Sequence, residues 1–160
     1  MKLLLFGYGN PGRGDDALGP ELIARIAQMH LPDVECQNDM QLQVEHVTDL
    51  AGCDRVLFVD ADMSCADPFE FSAIRPEKDG SYTSHVMNPT ALLHAYRQVY
   101  RKDAPPAFLL RIRGYDFELG DPMTSIASAN LEAATKLVVE FCSEANPSFW
   151  NRKKLTVGGL

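Results

Sequence analysis

The sequence predicts a three-layer αβα sandwich, with a mostly parallel, twisted sheet of about five strands and one antiparallel edge strand. Two short apolar runs, Lys2–Phe6 and Val56–Val59, are continuous rather than alternating, as strands covered on both faces should be. Stretches of helical period separate the strand-like runs. A glycine-rich turn follows the first run directly, where an α/β sheet places its ligands.

Taken in order, Lys2–Phe6 is the first strand. Leu18, Leu22, Ile26 and Met29 then recur at spacings of four, four and three, the stripe of an amphipathic helix. Pro32 breaks that pattern, and Val34–Gln37 is the second strand. Gln43–Leu50 reads as a short helix and Val56–Val59 as the third strand. Phe69–Ile74 alternates, with Phe69, Phe71 and Ala73 set against Glu70 and Ser72, so it is expected as a half-exposed edge strand. The next helix runs from about Pro89 to Arg101. Pro89 suits a first helical turn, and Leu92, Tyr96 and Val99 form the stripe. After Pro105-Pro106 comes a strand at Phe108–Arg113. The last helix lines Ala127, Leu131, Ala134, Val138 and Phe141 along one face.

A length of 160 residues suits one domain, expected at 1–145, with 146–160 as a basic, flexible tail. With 46% apolar and 23% charged residues, wholesale disorder is excluded. No window approaches the ~18 apolar residues of a membrane span. Met1–Phe6 runs straight into Gly7 without a signal-peptide core or cleavage site, so a cytoplasmic location is expected. The net charge of −7 argues against nucleic acid or an anionic membrane as partner. The four cysteines form no CxxC pair and read as reduced, mostly buried thiols.

The segment Gly7-Tyr8-Gly9-Asn10-Pro11-Gly12-Arg13-Gly14-Asp15-Asp16 is the most informative. Gly7, Gly9 and Gly12 satisfy GxGxxG between a strand and a helix, the position of a dinucleotide-binding turn. Against that reading, Asp15 and Asp16 occupy the helix end where a pyrophosphate would sit, and would repel it. Helix capping is the plain role for the two aspartates, though it accounts for one better than for a pair.

Asp60 ends the third strand. The first and third strands of such a sheet are usually neighbours, which brings Asp60 beside the glycine turn; Asp62 is the alternate. Of the four histidines, His85 alone lies in a loop feeding a helix. His30 reads as a helix C-terminal cation, while His46 and His94 lie inside helical stretches. Two carboxylates and an imidazole suit a borderline divalent cation with positions left open for water or substrate. There is neither an HExxH helix nor a GxSxG elbow, and a Cys65–His85 hydrolase has nothing recognisable to activate the thiol.

The turn Gly9–Gly19, the strand end Val59-Asp60-Ala61, and Ser84-His85 with Pro89 together resemble the maturation endopeptidases of nickel–iron hydrogenases, in order and in spacing, over roughly residues 1–142. That resemblance implies a cytoplasmic protease that removes a C-terminal extension from the hydrogenase large-subunit precursor once nickel has been loaded. It also implies that Asp16, Asp60 and His85 bind a metal, the nickel carried by the substrate. Gly9, Asn10, Gly14 and Asp15 would then support the site, Asp15 either as a cap or as a group behind the ligands. Some members carry Glu where Asp16 stands, and the shorter side chain must draw the turn closer to the metal. The segment Asp39–Glu45 departs from the Asp-Gly-Gly of other members and is similar to the branch serving bidirectional, NAD-linked hydrogenases. Two rival readings remain open: a nickel-binding chaperone without protease activity, and a nucleotide-binding module using the glycine turn.

Overall fold

The structure is a computed structural model that describes residues 1–78, 87–143, 149–150 and 156–157. Its strands are β1 (Leu3–Tyr8), β2 (Val34–Asp39), β3 (Arg55–Asp62), β4 (Phe69–Ile74), β5 (Ala107–Arg113) and β6 (Thr156–Val157). The helices are α1 (Leu18–Ala27), α2 (Val47–Leu50), α3 (Pro89–Tyr100) and α4 (Ser125–Ser143), with 3₁₀ turns at Gly14–Ala17 and Val44–His46.

The strands form one sheet in the order β2-β1-β3-β5-β4-β6. β1 lies between β2 and β3 and is parallel to both, with Leu3 level with Val34 on one side and Arg55 on the other. β3 and β5 are also parallel, whereas β4 runs antiparallel to β5. The two-residue β6 pairs with β4 at Phe71 and Glu70, so β4 is not the outermost strand.

Side chains alternate across the strands and build one core on each face. Leu3, Leu5, Leu57, Val59, Leu110 and Ile112 meet α1 and α4, whereas Leu4, Phe6, Val56 and Phe58 meet α2 and α3. The expected stripe of α4 is buried throughout. Two other stripes end earlier than the spacing implied. α1 stops at Ala27, leaving Met29 exposed in the turn beyond it. Val99 is exposed as well: α3 continues its buried side from Leu92 through Tyr96 to Tyr100, whose rings lie 4.6 Å apart. At its start Asn88 accepts a hydrogen bond from Ala91 N–H (2.8 Å), with Pro89 in the first turn.

The expectation of a loose tail at 146–160 does not hold where this stretch is described. Trp150 is fully buried, 4.2 Å from Phe141 and 5.0 Å from Phe108 between ring centroids, and β6 extends the sheet. Beneath the indole lies the guanidinium of Arg55, 5.0 Å from the ring centre; burial pulls its pKa down. An aromatic residue of this size secures its own segment by the area it removes from water.

Candidate active site

Between β1 and β3 the strand order reverses direction, and the crevice beyond their C-terminal ends is where such sheets bind ligands. Asp60 and the 3₁₀ turn carrying Asp16 meet there, 44 residues apart in sequence. The Asp60 carboxylate accepts Ala61 N–H at Oδ1 (2.8 Å), and the Tyr8 hydroxyl lies near enough to favour its charged form. Burial pushes its pKa up to about 7, aided by the charges of Asp16 and Asp62; Ala61 N–H and the Tyr8 hydroxyl oppose the rise. The Tyr8 phenol is driven well above its ordinary value, by burial first and then by the Asp60 charge. It therefore remains a hydrogen-bond donor throughout the physiological range.

Asp16 is fixed from the other side. Its Oδ2 accepts Asn10 N–H at 2.7 Å, and its own N–H donates to Arg13 O at 3.0 Å. Gly9 makes the return of the chain possible. Its φ is +148°, and a Cβ there would strike the backbone oxygen of Asp16.

Asp15 does not cap a helix. The 3₁₀ turn has no side-chain cap, and the fully buried Asp15 carboxylate turns instead into the β5–α4 loop. There Oδ2 accepts Tyr115 N–H (2.7 Å), Asp116 N–H (3.1 Å) and the Thr124 hydroxyl (2.9 Å), while Oδ1 accepts Thr124 N–H (2.7 Å). Burial alone would raise this carboxyl, but these donors outweigh it and hold the pKa below its ordinary value. Gly14, at φ +55°, presses against Asp116 O with no room for a Cβ. Asp15 thus ties the glycine turn to a loop about a hundred residues downstream.

Asp62, the alternate candidate, is already engaged. It accepts Ser64 N–H and hydroxyl (both 2.7 Å) and Arg111 Nη1 (3.1 Å), which together overcome burial and hold its pKa low. Arg111 also reaches Glu70 at 2.5 Å, so three neighbouring strands are cross-linked by one guanidinium. Cys65 is buried, and its thiol is pushed up to about 11, chiefly by burial, which removes the thiolate a cysteine hydrolase would need. His46 is structural: Nδ1 accepts Gln43 N–H (2.8 Å) and Nε2 pairs with Asp39 (3.0 Å).

The nucleotide reading meets a direct obstacle, because the amides of the turn are used internally. Gly9 N–H donates to Asp39 O, Gly12 N–H to Asn10 Oδ1 and Arg13 N–H to Asn10 O. Those of Gly14 and Asp15 donate to Asp121 O and Asp116 O. A pyrophosphate would find no free cradle.

Of the three expected ligands, Asp16 and Asp60 come together, and His85 lies outside the described residues, as does Ser84. Among the described residues no three His, Cys, Asp or Glu side chains are grouped to hold a metal ion. The arrangement supplies two carboxylates facing one crevice, one with a pKa near neutrality. Sequence reasoning missed Tyr8 and Thr124. Tyr8 could have been found from the parallel alignment of β1 and β3, which puts it one step beyond the Gly7–Val59 pair. Thr124 left no signal.

No protein-family model matches the chain, and no curated protein sequence does. Solved structures do match. The nickel–iron hydrogenase maturation protease HycI from Thermococcus kodakarensis KOD1 is similar at 22% identity and a TM-score of 0.70, over 89% of this chain and 93% of that one. The hydrogenase maturating endopeptidase HybD from E. coli is similar at 23% identity and a TM-score of 0.68, over 88% and 91%. The hydrogenase 2 maturation peptidase from Thaumarchaeota archaeon SCGC_AB-539-E09 is similar at 23% and 0.64, over 89% and 99%. The chain has the fold of the hydrogenase maturation proteases. Nearly the full length of each is matched, so the likeness extends over the whole fold and not only a common βαβ core.

Proposed function

We propose that this protein is an endopeptidase that removes the C-terminal extension of a nickel–iron hydrogenase large-subunit precursor after nickel insertion. Asp16, Asp60 and His85 would recognise the nickel carried by the substrate, which would signal that loading is complete. The observation that carries the reading is the meeting of Asp16 and Asp60 at the switch point of a fold shared with hydrogenase maturation proteases. A carboxyl with a pKa of about 7 suits the chemistry, since it can take a proton from an attacking water and return it to the leaving amine. A cytoplasmic setting follows from that substrate.

The test is processing of a nickel-loaded large-subunit precursor by the wild type and by Asp16→Ala, Asp60→Ala and His85→Ala, read by mass. Wild type should shorten the precursor, and each variant should lose about 10²–10⁴-fold in rate. Unimpaired cleavage by all three variants overturns the site. A precursor of unchanged mass that binds in a nickel-dependent manner would make the protein a chaperone instead.

A further inference from the structure

The β5–α4 loop, residues 114–124, is tied at both ends. At its start Gly114 N–H donates to Asp62 O (3.0 Å), on the strand that carries Asp60. At its end Thr124 stands just before the first residue of α4, and its hydroxyl has two partners. It accepts Ala127 N–H (3.2 Å), capping the helix, and it donates to Asp15 Oδ2 (2.9 Å). Thr124 N–H reaches Oδ1 of the same carboxylate at 2.7 Å, so α4 begins on a two-point grip of Asp15.

The placement of Asp16 depends on that grip. Its own restraint, Asn10 N–H at 2.7 Å, comes from six residues back in the same turn. That bond fixes the carboxylate relative to the turn, not to β3. The 3₁₀ turn has no side-chain cap to hold it. The loop supplies the mooring. Asp15 N–H donates to Asp116 O (2.7 Å), Gly14 N–H to Asp121 O (3.0 Å), and Gly120 N–H to Gly12 O (2.8 Å). A continuous set of hydrogen bonds therefore runs from β3 through the loop to the turn that carries Asp16. Those three and the Gly114 bond are backbone to backbone; the Asp15 carboxylate and the Thr124 hydroxyl are where side chains enter the set.

We infer that Thr124 is a positioning residue for the proteolytic reaction, holding the turn through Asp15 so that the Asp16 carboxylate keeps its place beside Asp60. This rests on the proposed protease function. Thr124 touches no reacting atom. A group misplaced by about 1 Å can cost of order 10²-fold in rate. With the backbone bonds of the turn still in place the displacement is smaller, and loss of the hydroxyl costs about tenfold in kcat.

The experiment is steady-state processing of the nickel-loaded precursor by wild type, Thr124→Ser, Thr124→Val, Thr124→Ala and Trp150→Ala, alongside thermal unfolding, with every assay run below the lowest Tm. Thr124→Ser keeps the hydroxyl and should cut within about twofold of the wild-type rate. Thr124→Val keeps the shape and loses both hydroxyl bonds. Its kcat should fall about tenfold with KM within about twofold, the pattern of an interaction that matters in the transition state. Thr124→Ala removes the hydroxyl without setting a second methyl against the Asp15 carboxylate, and should show the same loss. Both should lower Tm through the missing cap. Trp150 packs on Phe108 near the start of β5, at the opposite end of the sheet from the crevice. Trp150→Ala should lower Tm at least as much yet leave kcat within about twofold, which separates positioning from stability. Wild-type kcat in the valine or alanine variant overturns the positioning role while leaving the protease reading intact. So does a rise in KM alone, a serine variant as slow as the valine one, or an equal loss of kcat in Trp150→Ala. A wild type that leaves the precursor uncut overturns both.

Discussion

At the scale of single residues, burial sets the chemistry of the site. Asp15 and Asp60 are both aspartates on one edge of the sheet, yet their environments drive them in opposite directions. Asp15 is surrounded by four donors and stays ionised, whereas Asp60 accepts the single N–H of Ala61 and faces the charges of Asp16 and Asp62. The sign of the consequence can be worked out. The folded protein holds the Asp60 proton up to about pH 7, while the unfolded chain releases it near 3.8. Between those values the native state binds more protons, so this group makes stability fall as pH rises from about 4 to 7, then level off. Asp60→Asn removes the ionisable group, abolishing that slope. At pH 8 the variant should be more stable than wild type by roughly 2–4 kcal/mol, the span of a shift of that size, less the hydrogen bond that an amide cannot accept. At pH 4 the advantage should vanish. Urea unfolding at both pH values measures it, and a wild-type stability that is flat from pH 4 to 8 would refute the Asp60 assignment.

At the scale of elements, the sequence was legible where burial was periodic and continuous. The unbroken apolar runs became β1 and β3, and the α4 stripe is buried at every expected position. Spacing alone misplaced Met29 and Val99, since a stripe does not say where its helix ends or which of two nearby residues carries it on. The pairing of Asp16 with Asp60 could be inferred from strand order, a rule of the whole fold. The clamp from Asp15 to Thr124 could not, because a hydrogen bond between residues 109 positions apart leaves no local pattern. Trp150 is the clearest lesson, for charge made its surroundings look like a solvated tail. It is the only tryptophan in the sequence, so its fluorescence reports this contact alone. The emission should be blue-shifted and resistant to acrylamide quenching. Trp150→Ala should lower unfolding stability by about 3–5 kcal/mol, the cost of emptying a buried aromatic site. Emission like that of free tryptophan would show that the indole is not packed on Phe141 and Phe108.

At the scale of the molecule, one topology serves two kinds of chemistry, and the use of backbone amides decides between them. A sheet reversing its order between neighbouring parallel strands opens a crevice at their C-terminal ends whatever the ligand. A dinucleotide site leaves the amides after β1 unpaired so that they point at phosphate. Here the same amides are spent on Asp16, Asn10, Arg13, Asp39 and the β5–α4 loop, and the carboxylates of Asp16 and Asp60 are what the crevice presents. Charge adds to the difference: a chain at −7 with two aspartates at the helix entrance repels polyphosphate. The GxGxxG spacing is therefore a by-product of a turn that must fold back upon Asp16. A measurable consequence is indifference to nicotinamide dinucleotides. A ligand present at 100 times its Kd stabilises a fold by about 2.7 kcal/mol. For a domain of this size that is worth about 5–10 °C in Tm. Millimolar NADH should leave the melting temperature within about a degree of the ligand-free protein, both for wild type and for Asp16→Ala, which relieves the repulsion without freeing the amides of Gly12, Gly14 or Asp15. A shift of several degrees in the variant alone would assign the exclusion to charge, and a shift in the wild type would return the turn to the nucleotide-binding class.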